Sequence, residues 1–301
     1  MPSQAMQDVI DYIRKAQQAT GAGQAAPTLA QRRAAFAPAG HRHPIPGDVR
    51  VAAVDANGVP AYWLTAPDGD PGRVLLFLHG GGFQLGSLAS DGELAARLGR
   101  ASGMRVLFPE YRLAPENPFP AAIDDVMAVW HWLRDDQRLD VRSLAVAGDS
   151  AGGGLAVSSL VATRDAGLAL PAAAALMSPT VDLTSSGASM TERAAQDPFS
   201  TPALLRELAA GYLGGANPVN TLASPLFAPL GGLPPLLILV GTADILLSDS
   251  ERLAAAAAKA GDNVTLHVGD GLPHVYPIML GTPEAAEATG QIGRFLRARI
   301  R

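Results

Sequence analysis

The chain has 301 residues, 48% hydrophobic and 17% charged, which supplies one large buried core and excludes a lone short binding module or a disordered composition. Its 23 basic against 28 acidic residues give a net charge of −5, and no basic run is longer than Arg32-Arg33, which argues against a nucleic-acid partner. The lack of any cysteine removes disulfides, thiolate metal sites and cysteine nucleophiles, and fits a reducing cytoplasm.

Asp8 and Asp11 stand where a signal peptide would carry basic and then apolar residues, so none is expected. Val9, Ile10, Tyr12 and Ile13 give Gln7–Gln18 helical spacing, Leu29–Phe36 reads as a second short helix, and Pro44 and Pro46 close the segment. Asn57-Gly58 between Val49–Val54 and Pro60–Leu64 suits a type I′ hairpin turn. Apolar runs then recur at Val74–Leu78, Arg105–Phe108, Ser143–Ala147, Ala172–Met177, Leu236–Val240 and Val264–Val268. Helical patterns at Asp91–Ser102, Ala121–Asp135, Ala151–Ala166 and Ser248–Ala260 lie between most of them. Strands without polar alternation, separated by helices, predict an α/β fold with a mostly parallel sheet covered on both faces. The stretch Asp182–Ser224 is too long for one crossover. With a helix predicted at Pro202–Leu213, it reads as an inserted lid element. The most apolar stretch, Leu233–Leu247, is broken by two prolines, Gly241 and Asp244, so no membrane span is expected.

Gly148-Asp149-Ser150-Ala151-Gly152 fits G-x-S-x-G between a strand and a helix. Glycines two residues either side let the chain reverse sharply and present the serine hydroxyl at the helix N-terminus, where free N–H groups favour developing negative charge. A small-residue turn explains the pentapeptide equally well when it is taken alone. His79-Gly80-Gly81-Gly82 after Val74–Leu78 weighs against that, because consecutive glycines let backbone N–H groups approach a tetrahedral oxyanion. A serine nucleophile needs a base, and the base an orienting acid. His274 and Asp244 follow the last two apolar runs in the required order, with Asp249 as a rival acid that also suits a helix N-terminus. His41 and His43 precede the core, His79 belongs to the glycine loop, and His131 and His267 read as packing or surface residues. Arg112 and Glu116 suggest a charge pair that shapes the loop beneath the glycine motif.

The set His79-Gly80-Gly81-Gly82-Phe83, Glu110-Tyr111-Arg112-Leu113-Ala114-Pro115-Glu116 and Gly148-Asp149-Ser150-Ala151-Gly152 resembles the hormone-sensitive-lipase-like bacterial esterases of the α/β-hydrolase superfamily, in their acidic-elbow branch. Asp197-Pro198, Ser224-Pro225-Leu226, Gly232-Leu233-Pro234-Pro235 and His274-Val275-Tyr276 agree, from about Val49 to the C-terminus. The resemblance implies Ser150 as nucleophile, His274 as general base, Asp244 as its acid, and Gly81, Gly82 and Ala151 amides as oxyanion hole. It departs from one common family form after Asp244, where Ser248 replaces a second carboxylate and Asp249 comes one residue later. It implies a cap from residues 1–46 and 183–223 over a catalytic core of 47–182 and 224–301. Asp149 is expected to organise neighbouring loops, and Phe83, Leu85, Phe199 and Leu205 to line an apolar pocket, although an ordinary core explains those four as well.

The expected activity is that of a serine carboxylesterase on short- to medium-chain acyl esters, a small-molecule substrate, with no metal or organic cofactor. An acyltransferase, amidase or peptidase with the same triad is the alternative. A non-catalytic ligand-binding homologue is disfavoured by His274. Similar esterases dimerise through an edge strand, which leaves a homodimer open.

Overall fold

The computed structural model describes residues 1–21, 27–36 and 43–301. Two helices come first, α1 (Gln4–Gly21) and α2 (Leu29–Phe36). α1 buries Met6 and Ile10, whereas α2 buries no residue. Of the predicted cap, residues 22–26 and 37–42 fall outside the described residues, and His41 with them.

Strands β1 (Arg50–Ala56) and β2 (Val59–Thr65) form the predicted hairpin, with Ala56 opposite Val59. Asn57 (φ 60°) and Gly58 (φ 85°) both take the positive φ of a type I′ turn, and Asp55 Oδ1 accepts the Gly58 N–H at 2.6 Å. β3 (Asp70–Leu78), α3 (Leu88–Ser102), β4 (Met104–Pro109), α4 (Ala121–His131), β5 (Leu144–Asp149), α5 (Ala151–Asp165) and β6 (Ala173–Met177) follow. The helix predicted to Asp135 changes to one π-helical turn at Trp132–Asp136. After β6 come the one-turn α6 (Ser189–Glu192), α7 (Pro202–Leu213), β7 (Leu236–Ala243), α8 (Leu247–Lys259), β8 (Val264–Pro273) and α9 (Pro283–Arg297). α7 has the predicted bounds, because Thr201 Oγ1 accepts the Leu204 N–H at 3.1 Å and Gly214 (φ 56°) ends the helix.

The eight strands form one sheet in the order β1-β2-β4-β3-β5-β6-β7-β8, antiparallel at β1/β2 and β2/β4 and parallel elsewhere. Strand parity sorts the core. Val74, Leu76 and Leu78 face the cluster that includes Leu155 of α5 and Val126 of α4, while Leu75 and Phe77 face that of α3 and α9. Burial on both faces is why these strands lack polar alternation. The C-terminal ends of β3, β5, β7 and β8 deliver His79, Ser150, Asp244 and His274 to one end of the sheet. Among the described residues, no helix is long and apolar enough to cross a membrane.

Candidate active site

Ser150 sits at φ 51°, ψ −118°, a left-handed conformation that costs a side-chain-bearing residue energy and is held in place by its surroundings. Its N–H donates to Met177 O at 2.8 Å, and its carbonyl accepts the Thr180 N–H at 2.9 Å. A Cβ at Gly148 would strike the carbonyl of Gly152, and one at Gly152 the carbonyls of Leu78 and His79. Both glycines of the pentapeptide are therefore required by close backbone approach.

His274 Nε2 lies 3.0 Å from Ser150 Oγ, and its Nδ1 lies 3.1 Å from each carboxylate oxygen of Asp244. With Nδ1–H donating to the fully buried Asp244, Nε2 is left as the acceptor for the serine hydroxyl. Leu246 N–H donates to Asp244 Oδ1 at 2.8 Å, and Val275 N–H donates to Ser178 Oγ at 3.0 Å, so the acid and base loops are each tied beside the reacting atoms. Burial works against the imidazolium, but the charge and hydrogen bond of Asp244, followed by Asp197 and Asp149, outweigh it and push His274 up to about 9.

On the glycine loop, Gly81 (φ 108°) and Gly82 (φ 62°) have left-handed backbones, and a Cβ on Gly82 would lie 2.6 Å from Leu208 Cδ1. The N–H groups of Gly81, Gly82 and Ala151 carry no hydrogen bond among the described residues, the last because it opens α5. Gly80 N–H donates to Asp149 Oδ1 at 3.0 Å. One buried carboxylate thus joins the glycine loop to the elbow, and burial pushes it up to about 7 against the pull of His274 and the Gly80 N–H. His79 is fully buried between Phe108 and Tyr111, with ring centroids 5.5 and 4.3 Å away, and its Nδ1 lies 2.8 Å from Gly80 O. Burial lowers it to about 4, so it is a neutral scaffold residue at physiological pH.

One sequence reading changes. Arg112 and Glu116 do not pair. Arg112 instead donates from its Nη2 to Asp125 at 2.7 Å, and Glu116 receives Arg33 of α2 at 2.8 Å. Asp249 is a buried structural group whose Oδ2 accepts the Val181 and Asp182 N–H at 2.9 and 3.0 Å, and burial pushes it up to about 7. Among the described residues, His274 Nδ1 has only Asp244 as a carboxylate partner. His131 closes α4 with its side chain 45% exposed opposite Asp135, and His267 is exposed on β8, so both are surface residues.

A cavity of about 340 Å³ opens over Ser150 and His274. Phe83, Leu85, Phe199 and Leu205 all line it, as does Phe36 from α2. Sequence reasoning missed Leu204 and Leu208, although their spacing around Leu205 on α7 carries the signal of one helix face. Among the described residues, no three His, Asp or Glu side chains gather into a set that would hold a metal ion.

Residues 75–278 match a family described as α/β hydrolase fold. The chain is 44% identical over 256 residues to an acetyl-hydrolase of Streptomyces hygroscopicus, covering 84% of this chain and 83% of that one. The crystal structure of an esterase from the bacterial hormone-sensitive lipase family is 40% identical, with a TM-score of 0.94 over 100% of both chains. That of EstE5 soaked with p-nitrophenyl butyrate is 38% identical, with a TM-score of 0.93 over 99% of each.

Proposed function

Since the chain belongs to the hormone-sensitive-lipase-like bacterial esterases of the α/β-hydrolase superfamily, and so is a carboxylic ester hydrolase, we propose that it cleaves short- to medium-chain acyl esters through Ser150, His274 and Asp244. The observation that carries this reading is the continuous line from Asp244 through His274 to Ser150 Oγ, with contacts of 3.1 and 3.0 Å, at the floor of an apolar cavity.

His274 Nε2 takes the Ser150 proton as Oγ attacks the ester carbonyl, and the Gly81, Gly82 and Ala151 amides receive the oxyanion. Asp244 holds Nδ1–H toward itself and stabilises the imidazolium that forms. The imidazolium protonates the leaving alcohol as the C–O bond breaks, leaving an acyl-serine. Water, deprotonated by His274, attacks that ester, and as the intermediate collapses the imidazolium returns the proton to Ser150 Oγ with release of the acid.

A cavity of about 340 Å³ is at the small end of ligand pockets, which favours short acyl chains. We assign residues 1–46 and 183–223 to a cap over a core of 47–182 and 224–301, because Phe36, Phe199 and Leu205 of those segments line the cavity that holds Ser150 and His274. The same proposal sets the enzyme in the cytoplasm, in line with a sequence free of cysteine. Hydrolysis of p-nitrophenyl esters from acetate to palmitate tests the substrate class. Rates peaking at short chains support it, and a maximum at palmitate contradicts it.

A further inference from the structure

Asp197 is a buried carboxylate of the inserted segment for which the acyl-transfer steps have no use. Its Oδ1 accepts the N–H of Phe199 at 2.7 Å and of Ser200 at 3.0 Å, and both residues line the cavity. Its Oδ2 accepts the N–H of Ile245 at 2.9 Å, the residue that follows Asp244. The other side of the same residue is held from α6, where Ser189 Oγ donates to Ile245 O at 2.7 Å and accepts the Ser248 N–H at 2.9 Å. Ile245 is fully buried, so its N–H and C=O need partners. Side chains of the inserted segment, not of the core sheet, supply both.

We propose that Asp197 is a positioning residue that fastens the cavity wall at Phe199 and Ser200 to the loop of Asp244, so that substrate enclosure and acid placement are set together. This rests on the assignment of Asp244, His274 and Ser150 above. One carboxylate spanning two segments is suited to the task, because its two oxygens accept three N–H groups without needing a proton of its own. Its charge also acts on the imidazole. Asp244, Asp197 and Asp149 are the carboxylates that favour the protonated form of His274; burial raises the Asp197 carboxyl, the charge of His274 opposes that rise, and Asp244 adds to it.

The experiment compares Ser150→Ala, Asp197→Asn and Asp197→Glu with the parent on p-nitrophenyl butyrate, over a pH range and with a thermal melt of each. The carboxamide loses the charge and turns an N–H toward at least one of the three donors. A folded Asp197→Asn is expected to lose kcat by about 10- to 100-fold, with the acidic limb of its pH profile moved to lower pH. A purely structural role would leave that limb in place. Asp197→Glu displaces the oxygens by a methylene and keeps the charge, so kcat falls while the limb stays. It carries the test if the carboxamide does not fold. Parent-like kcat in either folded variant, an unmoved limb in Asp197→Asn or a moved limb in Asp197→Glu overturns the proposal. Full activity in Ser150→Ala instead overturns the underlying assignment, so the two failures are distinguishable.

Discussion

Replacing Asp244 by Asn perturbs the site with little change of shape. Both carboxylate oxygens lie 3.1 Å from His274 Nδ1, and Oδ1 also accepts the Leu246 N–H at 2.8 Å. The carboxamide can keep Leu246 by placing its oxygen there, which turns its NH₂ toward Nδ1. The imidazole then carries its proton on Nε2, facing Ser150, and cannot accept another. The lost charge matters separately. An imidazolium and a carboxylate about 4 Å apart interact by about 4 kcal/mol at an effective dielectric constant near 20, or about a thousandfold in rate. With the wrong tautomer added, kcat should fall by about 10³- to 10⁴-fold. KM should change little, because Asp244 does not line the cavity. Steady-state hydrolysis of p-nitrophenyl butyrate, beside Asp249→Asn as the control acid, reads this directly. A variant within about tenfold of the parent would refute the reasoning, as would an equal loss in the Asp249 variant.

The pH profile of the parent should rise toward alkaline pH, because His274 pushed up to about 9 must lose its proton to act as base. A plateau already reached at about pH 6 contradicts that ordering. Asp249 has a folded value of about 7 against the usual 3.8, so its contribution to stability is complete below 3.8 and is lost as pH rises through about 7. The melting temperature should therefore fall between about pH 4 and about pH 7, and Asp249→Asn, whose carbonyl still serves the Val181 and Asp182 amides, should flatten part of that fall. Gly152→Ala forces a Cβ against the Leu78 and His79 carbonyls and should destabilise the protein by about 3 kcal/mol or more in denaturant unfolding. A parent-like midpoint would mean that the elbow can relax. Leu205→Ala removes cavity wall, and the best p-nitrophenyl substrate should become a longer one; an unchanged preference places Leu205 away from the acyl chain.

What the sequence disclosed were features with local rules. The elbow, the hairpin turn at Asn57-Gly58 and the bounds of α7 each follow from residues within a few positions of one another. The runs of β3 to β7 were visible because burial on both faces leaves no polar alternation, whereas β8 is a partly exposed edge strand. Features set by long-range partners stayed hidden. Arg112 and Glu116 are four apart and suggest a pair, but their partners are Asp125 and Arg33. Asp249 reads as a helix-start carboxylate, and its burial becomes evident only when the loop after β6 lies against α8. Asp197 stood out only as part of an Asp197-Pro198 pair, since its bond to Ile245 spans a separation of 48 residues. Helix α9 went unpredicted although its start at Thr282-Pro283 carries a cap signal that Ala285 N–H answers at 3.2 Å.

The nucleophile is the central claim, and trapping the acyl-enzyme tests it most directly. The protein is quenched in acid during p-nitrophenyl butyrate turnover, digested, and its peptides weighed by mass spectrometry. A butyryl group on Ser150, with both adduct and turnover abolished in Ser150→Ala, is the predicted result. A butyryl group on another residue, or undiminished turnover in Ser150→Ala, contradicts the account.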